Sequence, residues 1–335
     1  MAKPVLTIAI PTFNRSTHLE FLLSVLASEL QGMQGRVAIF VSDNASTDDT
    51  SAVTVKYGAI LPNLTCHRNV ENLGADFNIG ACFSWPNTPY VWILGDDDAP
   101  LKGSISRLVD LLDRTQPDLV YLSSVGRRSI ADDYATCEVT HCRAVELSRE
   151  RFASIVNVQL TFISGVVIRK DAASPQSIAS ALDITSGTSL IQLAWTYEIL
   201  KQGRRFSYVN TDMLMATAGN SGGYAVLKVF LVNHTRIAQA LLGDFPEIAR
   251  RILARTSSCY LPGLLWNIRT KRMGQFDLPR PNTIEVPAAL SHLASYRFVV
   301  SPIWRSPKVI AWAFFQFSRF MSRSNRIIDK IFFFH

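Results

Sequence analysis

Apolar and polar positions alternate along the first two thirds of the chain in a strand and helix rhythm. VLTIAI (5–10) is a continuous apolar run closed by Pro11, as expected of a buried strand, and Thr17 to Leu30 repeats its apolar residues at helical spacing through Leu19, Leu22, Leu23, Leu26 and Leu30. The unit then recurs. VAIFVSD (37–43) predicts a second strand, and the polar stretch after Asn44 predicts a helix start with Ser46 or Thr47 as its N-cap. LTCHRN (64–69) predicts a short third strand, Ala75 to Trp85 a helix, and YVWIL (90–94) a fourth strand. Strands alternating with helices imply an α/β domain with a mostly parallel sheet and flanking helices, whose ligands bind beyond the carboxyl ends of the strands.

Beyond these come a helix from Leu101 to Arg114, a strand at DLVYLS (118–123), a polar region over 126–150, an apolar run at FISGVVI (162–168), a helix from Leu190 to Gln202 and a strand at RFSYV (205–209). From about Ala225 the pattern becomes helical and rich in Leu, Ile, Arg and aromatics. The Gly219–Gly223 turn (GNSGG) therefore marks the expected boundary between a domain over 1–222 and a helical C-terminal region over 223–335.

Composition fits this division. With 335 residues, 48% of them hydrophobic and 18% charged, the chain has material for a large core and is not a disordered sequence. MAKPVLTIAIPTFNR enters a strand pattern directly, without an apolar leader, which leads us to expect a cytoplasmic protein. Five cysteines at irregular spacing are expected as free thiols, and Cys137, His141 and Cys142 lack the second pair that a zinc site requires. The charge is unevenly placed. Ser291 to His335 holds Arg297, Arg305, Lys308, Arg319, Arg323, Arg326 and Lys330 against Asp329 alone, and so carries six of the seven net positive charges.

The strongest chemical signal is VWILGDDDAP (91–100), three aspartates at the end of a buried strand. Three adjacent carboxylates repel one another by about 3 kcal/mol per pair at ~5 Å and an effective dielectric of 20, so a positive partner is expected. In an extended backbone Asp96 and Asp98 point to one side, an arrangement suited to Mg²⁺ or Mn²⁺ held jointly with phosphate oxygens of a substrate. A solvated Asp-rich turn, with Pro100 and Gly103 following, is an equal alternative on this motif alone. The first two strand ends favour the ligand reading. IAIPTFNR and VSDNASTDDT set Thr12, Asn14 and Asp43 at the same rim, where an Asp ending a second strand accepts hydrogen bonds from a base or ribose.

TIAIPTFNR, VSDNASTDD, NLGADFNIG and VWILGDDDAPLKG, in that order and spacing, resemble the family 2 glycosyltransferases of the GT-A fold. The resemblance covers roughly the first 105 residues, more loosely to about residue 215. It implies a Rossmann-like sheet, with Pro11, Thr12 and Asn14 lining the donor nucleotide, Asp43 on its base, Asn72, Gly74 and Asn78 in a loop beside it, and Asp96, Asp97 and Asp98 as the DxD motif. Asp96 and Asp98 would hold Mg²⁺ or Mn²⁺. Where many members carry Arg before the last of the loop residues, this chain has Phe77. The implied reaction is single displacement with inversion, a carboxylate deprotonating the acceptor hydroxyl. Near the place where members carry that base stands Gln192, which cannot serve. The nearest carboxylates are Asp183, expected in a loop before a helix, and Glu198, expected on a solvated helix face; Asp183 is favoured. FISGVVIRK resembles a segment of the deoxysugar-transferring branch, including abequosyltransferase-like enzymes of O-antigen assembly.

The tail RFVVSPIWRSPKVIAWAFFQFSRFMSRSNRIIDKIFFFH interleaves basic residues with Trp304, Trp312, Phe314, Phe315, Phe317, Phe320 and Phe332–Phe334. Its longest apolar run, VIAWAFF (309–315), is too short to span a bilayer, so contact with a membrane surface is expected, the alternative being a helical pair packed on the catalytic domain. No nucleic-acid-binding module is recognisable. Together these readings predict a metal-dependent inverting glycosyltransferase. It would move a sugar from a nucleotide-diphosphate donor to a lipid-linked or cell-envelope glycan, peripherally on the cytoplasmic face of the inner membrane. Two rivals are a non-catalytic, membrane-associated nucleotide-sugar-binding protein and a sugar-phosphate nucleotidyltransferase. The latter needs a Gly-rich phosphate loop, and IPTFNRSTHLE contains no glycine.

Overall fold

The computed structural model describes residues 3–33, 35–127, 138–217, 225–272, 280 and 283–331, excepting the side chains of 127 and 322–331. Cys137, the expected boundary at Gly219–Gly223, the side chains of Arg323, Arg326, Asp329 and Lys330, and Phe332–Phe334 lie outside the described residues. The chain divides into two compact units, one of Met1–Phe152 with Gln159–Asn220, the other of Ala153–Val158 with Ser221–His335.

The first unit is an α/β sandwich whose elements begin as the pattern dictates: β1 (Leu6–Thr12), α1 (Ser16–Glu29), β2 (Val37–Asp43), α2 (Thr50–Gly58), β3 (Leu64–Arg68), α3 (Ala75–Ser84) and β4 (Tyr90–Ile93). The next stretch contributes β5 (Ala99–Pro100), α4 (Ser104–Thr115), β6 (Leu119–Arg127), β7 (Ala144–Leu147), α5 (Arg149–Val156), β8 (Val166–Arg169), α6 (Pro175–Thr185), α7 (Leu193–Gln202) and β9 (Phe206–Thr217). Strand order is β3-β2-β1-β4-β8-β6-β9-β5, with β7 on β9. The β3-β2-β1-β4 block is parallel, and antiparallel β8 joins it to the parallel pair β6 and β9. Leu6, Ile8 and Ile10 of β1, with Leu19, Leu22, Leu23 and Leu26 of α1, are fully buried in one cluster, which is why the helical stripe was legible.

Three expectations change. No helix starts at Ser46 or Thr47: Ser46 Oγ accepts the Asn14 backbone N–H and Thr47 N donates to Asn14 Oδ1, so both are spent on tying two loops together. Asp48 does the capping instead, accepting from Ser16 N of α1 and from Thr50 N and Oγ1 of α2. Burial works against it, but these donors hold its carboxyl down to about 2. Asp183 is not in a loop. Ser174 caps α6 by accepting Ser177 N, Pro175 occupies the first turn, and Ile178 and Ala181 bury its inner face, leaving Asp183 exposed near the helix end. Glu198 is not on a solvated face: it is buried, with Lys201 Nζ at 2.5 Å and a hydrogen bond from Gln202.

The second unit is helical. α8 (His234–Leu241), α9 (Pro246–Arg255), α10 (Leu261–Arg269), α11 (Ala288–Ser291), α12 (Ser301–Arg305) and α13 (Lys308–Ile331) pack around Leu261, Leu265, Val300, Ile303 and Trp304. Phe315 of α13 stacks on Trp266 at 5.1 Å, and Ala311 and Ser318 are buried beside it. The opposite face of α13 leaves Val309, Ile310, Trp312, Phe317, Phe320 and Met321 exposed. Among the described residues, no helix is long and apolar enough to cross a membrane.

Candidate functional site

The site forms at the carboxyl edge of the sheet, where β1 has β2 on one side and β4 on the other, the point at which the strand order reverses. β1 ends at Thr12, paired in register with Asp43, the last residue of β2. Asn78 closes this corner from α3: its amide donates to the carbonyls of Ser42 and Thr12 while its oxygen accepts from Ser42 Oγ at 2.6 Å. Pro11 lies within β1 opposite Ser42. Asn14 adopts φ 52° and fastens the β1 loop to the β2 loop, leaving its side chain among exposed atoms of the rim. Asp43 is buried; its Oδ1 accepts Ser46 N and its Oδ2 lies 3.7 Å from Arg68 Nε.

Beyond β4 the three aspartates make a tight turn, with Asp98 N donating to Gly95 O at 3.1 Å, instead of the extended run expected from the sequence. Asp96 and Asp98 are buried and Asp97 is half-buried. Thr12 Oγ1 donates to Asp96 Oδ2 at 2.8 Å across the switch point, and Arg15 Nη1 lies 3.0 Å from both Asp96 Oδ1 and Asp97 Oδ2. Arg15 is thus the positive partner of two of the three adjacent carboxylates. Asp98 accepts Thr217 N from the end of β9, and Thr217 Oγ1 reaches the Asp97 carbonyl. Burial, reinforced by the charge of Asp97, pushes the Asp98 carboxyl up to about 7 against the hydrogen bonds from Ser164 and Thr217. Burial also raises Asp96, with Arg15 opposing.

The oxygens gathered here are of the hard type that Mg²⁺ or Mn²⁺ takes. A Cβ added to Gly95 would stand 3.1 Å from Asp97 Oδ1 and 3.3 Å from both Asp98 Oδ2 and Ser164 Oγ, so three oxygens converge where glycine leaves room. Asp96 has both its oxygens engaged by Thr12 and Arg15. Among the described residues no three His, Cys, Asp or Glu side chains enclose a metal by themselves. Such a set would depend on phosphate oxygens to complete the coordination.

Sequence reasoning missed Arg15, Ser164, Thr217, Asn44 and Asn69. Asn44 is buried, accepts from Asn69 Nδ2 and Leu73 N, and donates to Asn72 Oδ1 and the Gly74 carbonyl; it therefore holds the loop of Asn72 and Gly74 against the rim. The Asp-Asn pair ending β2 was the available signal. Ser164 holds Gly95 N through its hydroxyl and Trp92 Nε1 through its carbonyl. Gln192 is buried, its amide donating to the Thr161 carbonyl at 2.6 Å.

Residues 7–165 match the family model described as Glycosyl transferase family 2. Abequosyltransferase RfbV of Salmonella typhimurium is 30% identical over 179 residues, covering 50% of this chain and 53% of that protein. The chain thus spans about half the length of the curated relative it matches. Among solved structures, S. aureus TarS 1-349 in complex with UDP-GlcNAc superposes with a TM-score of 0.61 at 17% identity over 97% of this chain and 92% of that one. The same protein in complex with UDP gives 0.58 at 17% identity over 92% of each. The fold is therefore GT-A, and residues 7–165, just under half of the chain, match the glycosyl transferase family 2 model.

Proposed function

We propose that the chain transfers a sugar from a nucleoside-diphosphate donor to a hydroxyl of a lipid-linked or cell-envelope glycan of O-antigen type, with inversion. The observation that carries this reading is the union of Asp43, Thr12, Arg15 and Asp96–Asp98 at one switch point, a base-side carboxylate beside a diphosphate-side carboxylate cluster. The TarS complexes with UDP-GlcNAc and UDP, and the family match, support a nucleotide sugar as the donor class. In this reading Pro11, Thr12, Asn14, Asn72, Gly74 and Asn78 shape the donor cleft and Asp43 accepts from the base. Mg²⁺ or Mn²⁺ on Asp98, aided by Asp96 or Asp97, would supply charge neutralisation of the departing diphosphate. Arg15 holds Asp96 and Asp97 in place through its Nη1 contacts with both carboxylates. The acceptor oxygen bonds to the anomeric carbon as the bond from that carbon to the diphosphate oxygen breaks, the electron pair leaving with the diphosphate. The acceptor proton passes to a carboxylate, for which Asp183 is the candidate, since Glu198 is committed to Lys201.

Calorimetric titration with UDP-, GDP-, CDP- and dTDP-sugars, with and without Mn²⁺, tests this. One donor binding only with metal, and nucleoside diphosphate released on adding acceptor glycan, is the expected result; no binding by any donor overturns it. One observation favours a second reading, donor binding without transfer: Gln192 lies near the place where the family resemblance implies the base, and its amide donates to the Thr161 carbonyl. That reading predicts metal-dependent donor binding with no diphosphate release.

The exposed apolar face of α13 and the basic residues around it support peripheral association with an anionic membrane, on the cytoplasmic face of the inner membrane. In this proposal 1–222 is the catalytic domain and 223–335 the membrane-associating region that holds it at the surface carrying the acceptor.

A further inference from the structure

A groove of about 730 Å³ runs along α3 and is closed on its other side by the end of α6 and the turn that follows. That volume lies within the roughly 300–1,000 Å³ typical of small-ligand sites. Nothing in the donor reading uses most of it. Its near wall presents three apolar side chains to solvent, Leu73, Phe77 and Trp85, the indole 42% exposed. Trp85 is nonetheless fixed in place: His67 meets its ring edge-on at 3.9 Å and Phe40 at 5.7 Å. A large ring held by two near-perpendicular ring contacts, with exposed surface remaining, is a preorganised platform.

The far wall is polar and equally fixed. Asp76, in the first turn of α3, accepts Ser189 N at 3.1 Å and further backbone N–H groups of the Gly187–Ile191 turn, where Ser189 and Gly187 hold φ 61° and 71°. Asp183 and Ser84 add a carboxylate and a hydroxyl to the lining. The floor is bare, since a Cβ on Gly80 would meet nothing within 4 Å. One end of the groove is the Leu73–Gly74 segment that Asn44, next in sequence to Asp43, fastens to the sheet rim.

We propose that this groove binds the acceptor saccharide. A pyranose has an apolar C–H face and an equatorial fringe of hydroxyls. The lining offers the match to both: fixed rings for the face, carboxylate and hydroxyl acceptors for the fringe, and a glycine floor that admits a ring. Bound there, a short oligosaccharide would run from the Leu73–Gly74 edge of the donor cleft along α3 and past Asp183. The inference rests on the transferase reading and adds to it the place where the acceptor binds.

The test uses the full chain, saturation-transfer NMR and calorimetry, with methyl pyranosides and α- and β-linked di- and trisaccharides of galactose, mannose, glucose and rhamnose as probes, and donor binding measured in parallel. Wild-type protein is expected to bind at least one probe. Trp85→Ala and Gly80→Leu should each weaken that probe at least tenfold, with nucleotide-sugar affinity held within twofold. Gly80→Leu fills open space on a helix and is expected to fold, so it separates groove blockage from collapse of the Trp85 wall. The proposal is overturned if donor binds and no probe does, if both variants bind the probe like wild type, or if donor affinity falls together with probe affinity, which would make the groove part of the donor cleft. Failure of every donor to bind overturns the transferase reading itself, and this inference with it.

Discussion

The two units handle polar groups in opposite ways. In the sheet unit, carboxylates, amides and hydroxyls are drawn inward: Asp43, Asn44, Asn78, Asp96 and Asp98 are all buried, each with named hydrogen-bond partners. In the helical unit, the basic residues stay at the surface and large apolar side chains join them there, with Phe320 67% and Val309 81% exposed. Burying a carboxylate without full compensation is costly, and the cost shows in Asp98, which burial raises to about 7. The aromatics of α13 instead stay exposed along one helix face, the feature on which the proposed membrane contact rests.

The largest expected effect tests the first half of this contrast. Asp98→Asn removes the negative charge but keeps the shape, so Mn²⁺-dependent donor binding should vanish by calorimetry and transfer should fall about a thousandfold or more, while the melting temperature holds or rises. Unchanged Mn²⁺-dependent affinity would remove Asp98 from the metal site. The second half is tested by replacing Trp312, Phe317 and Phe320 together by serine. Each ring contributes about 1–1.5 kcal/mol of partial burial in lipid, so binding to vesicles containing anionic phospholipid should weaken at least about a hundredfold with donor affinity intact. Equal binding by the variant would show that the face serves another purpose.

The contrast extends to acid. His234 of the helical unit is fully buried, and burial pushes its pKa down to about 4. Unfolded, it takes a proton near 6.5; folded, it resists until about 4. Its stabilising contribution is therefore complete above pH 6.5 and is lost as pH falls towards 4, amounting to about 3 kcal/mol. Calorimetric unfolding between pH 7 and 4 should show this slope, and His234→Gln should flatten it; an identical slope in the variant would assign the acid sensitivity elsewhere.

How much of this was legible in the sequence follows the range of the interactions. β2 over Val37–Asp43 coincides with its expected span, and β1, α1 and α3 differ by a residue or two, because strand and helix periods are local signals. The strand ends then placed Asp43 and Asp96–Asp98 on one rim. What escaped depends on distant pairing. Arg15 meets Asp96 across 81 positions, Gly95 meets Ser164 across 69 and Thr217 meets Asp98 across 119. β9 ran past its expected end at residue 209 to Thr217 because register shifts against β6 let it continue into β5. Helix α6 was overlooked although Ser174-Pro175 is a start signal, and that omission put Asp183 in a loop.

The smallest expected effect is the most pointed test of the comparison. Arg15 is about one-third exposed, so its pairs with Asp96 and Asp97 are partly screened by solvent, and Arg15→Ala should cost only about 1–2 kcal/mol, a fall of a few degrees in melting temperature. The direction of rescue is informative. Without the guanidinium, three neighbouring carboxylates have lost the cation supplied by the chain, and added Mg²⁺ should restore part of the lost stability even with no donor present. Wild-type protein, with Arg15 in place, should respond less. A thermal scan of both proteins with and without Mg²⁺ reads the difference directly. Equal stabilisation would mean that Arg15 does not offset the charge at which the cation binds, whereas no response in either protein would make the aspartate turn an ion-pair network like that of Glu198 and Lys201, structural in purpose, with no cation required.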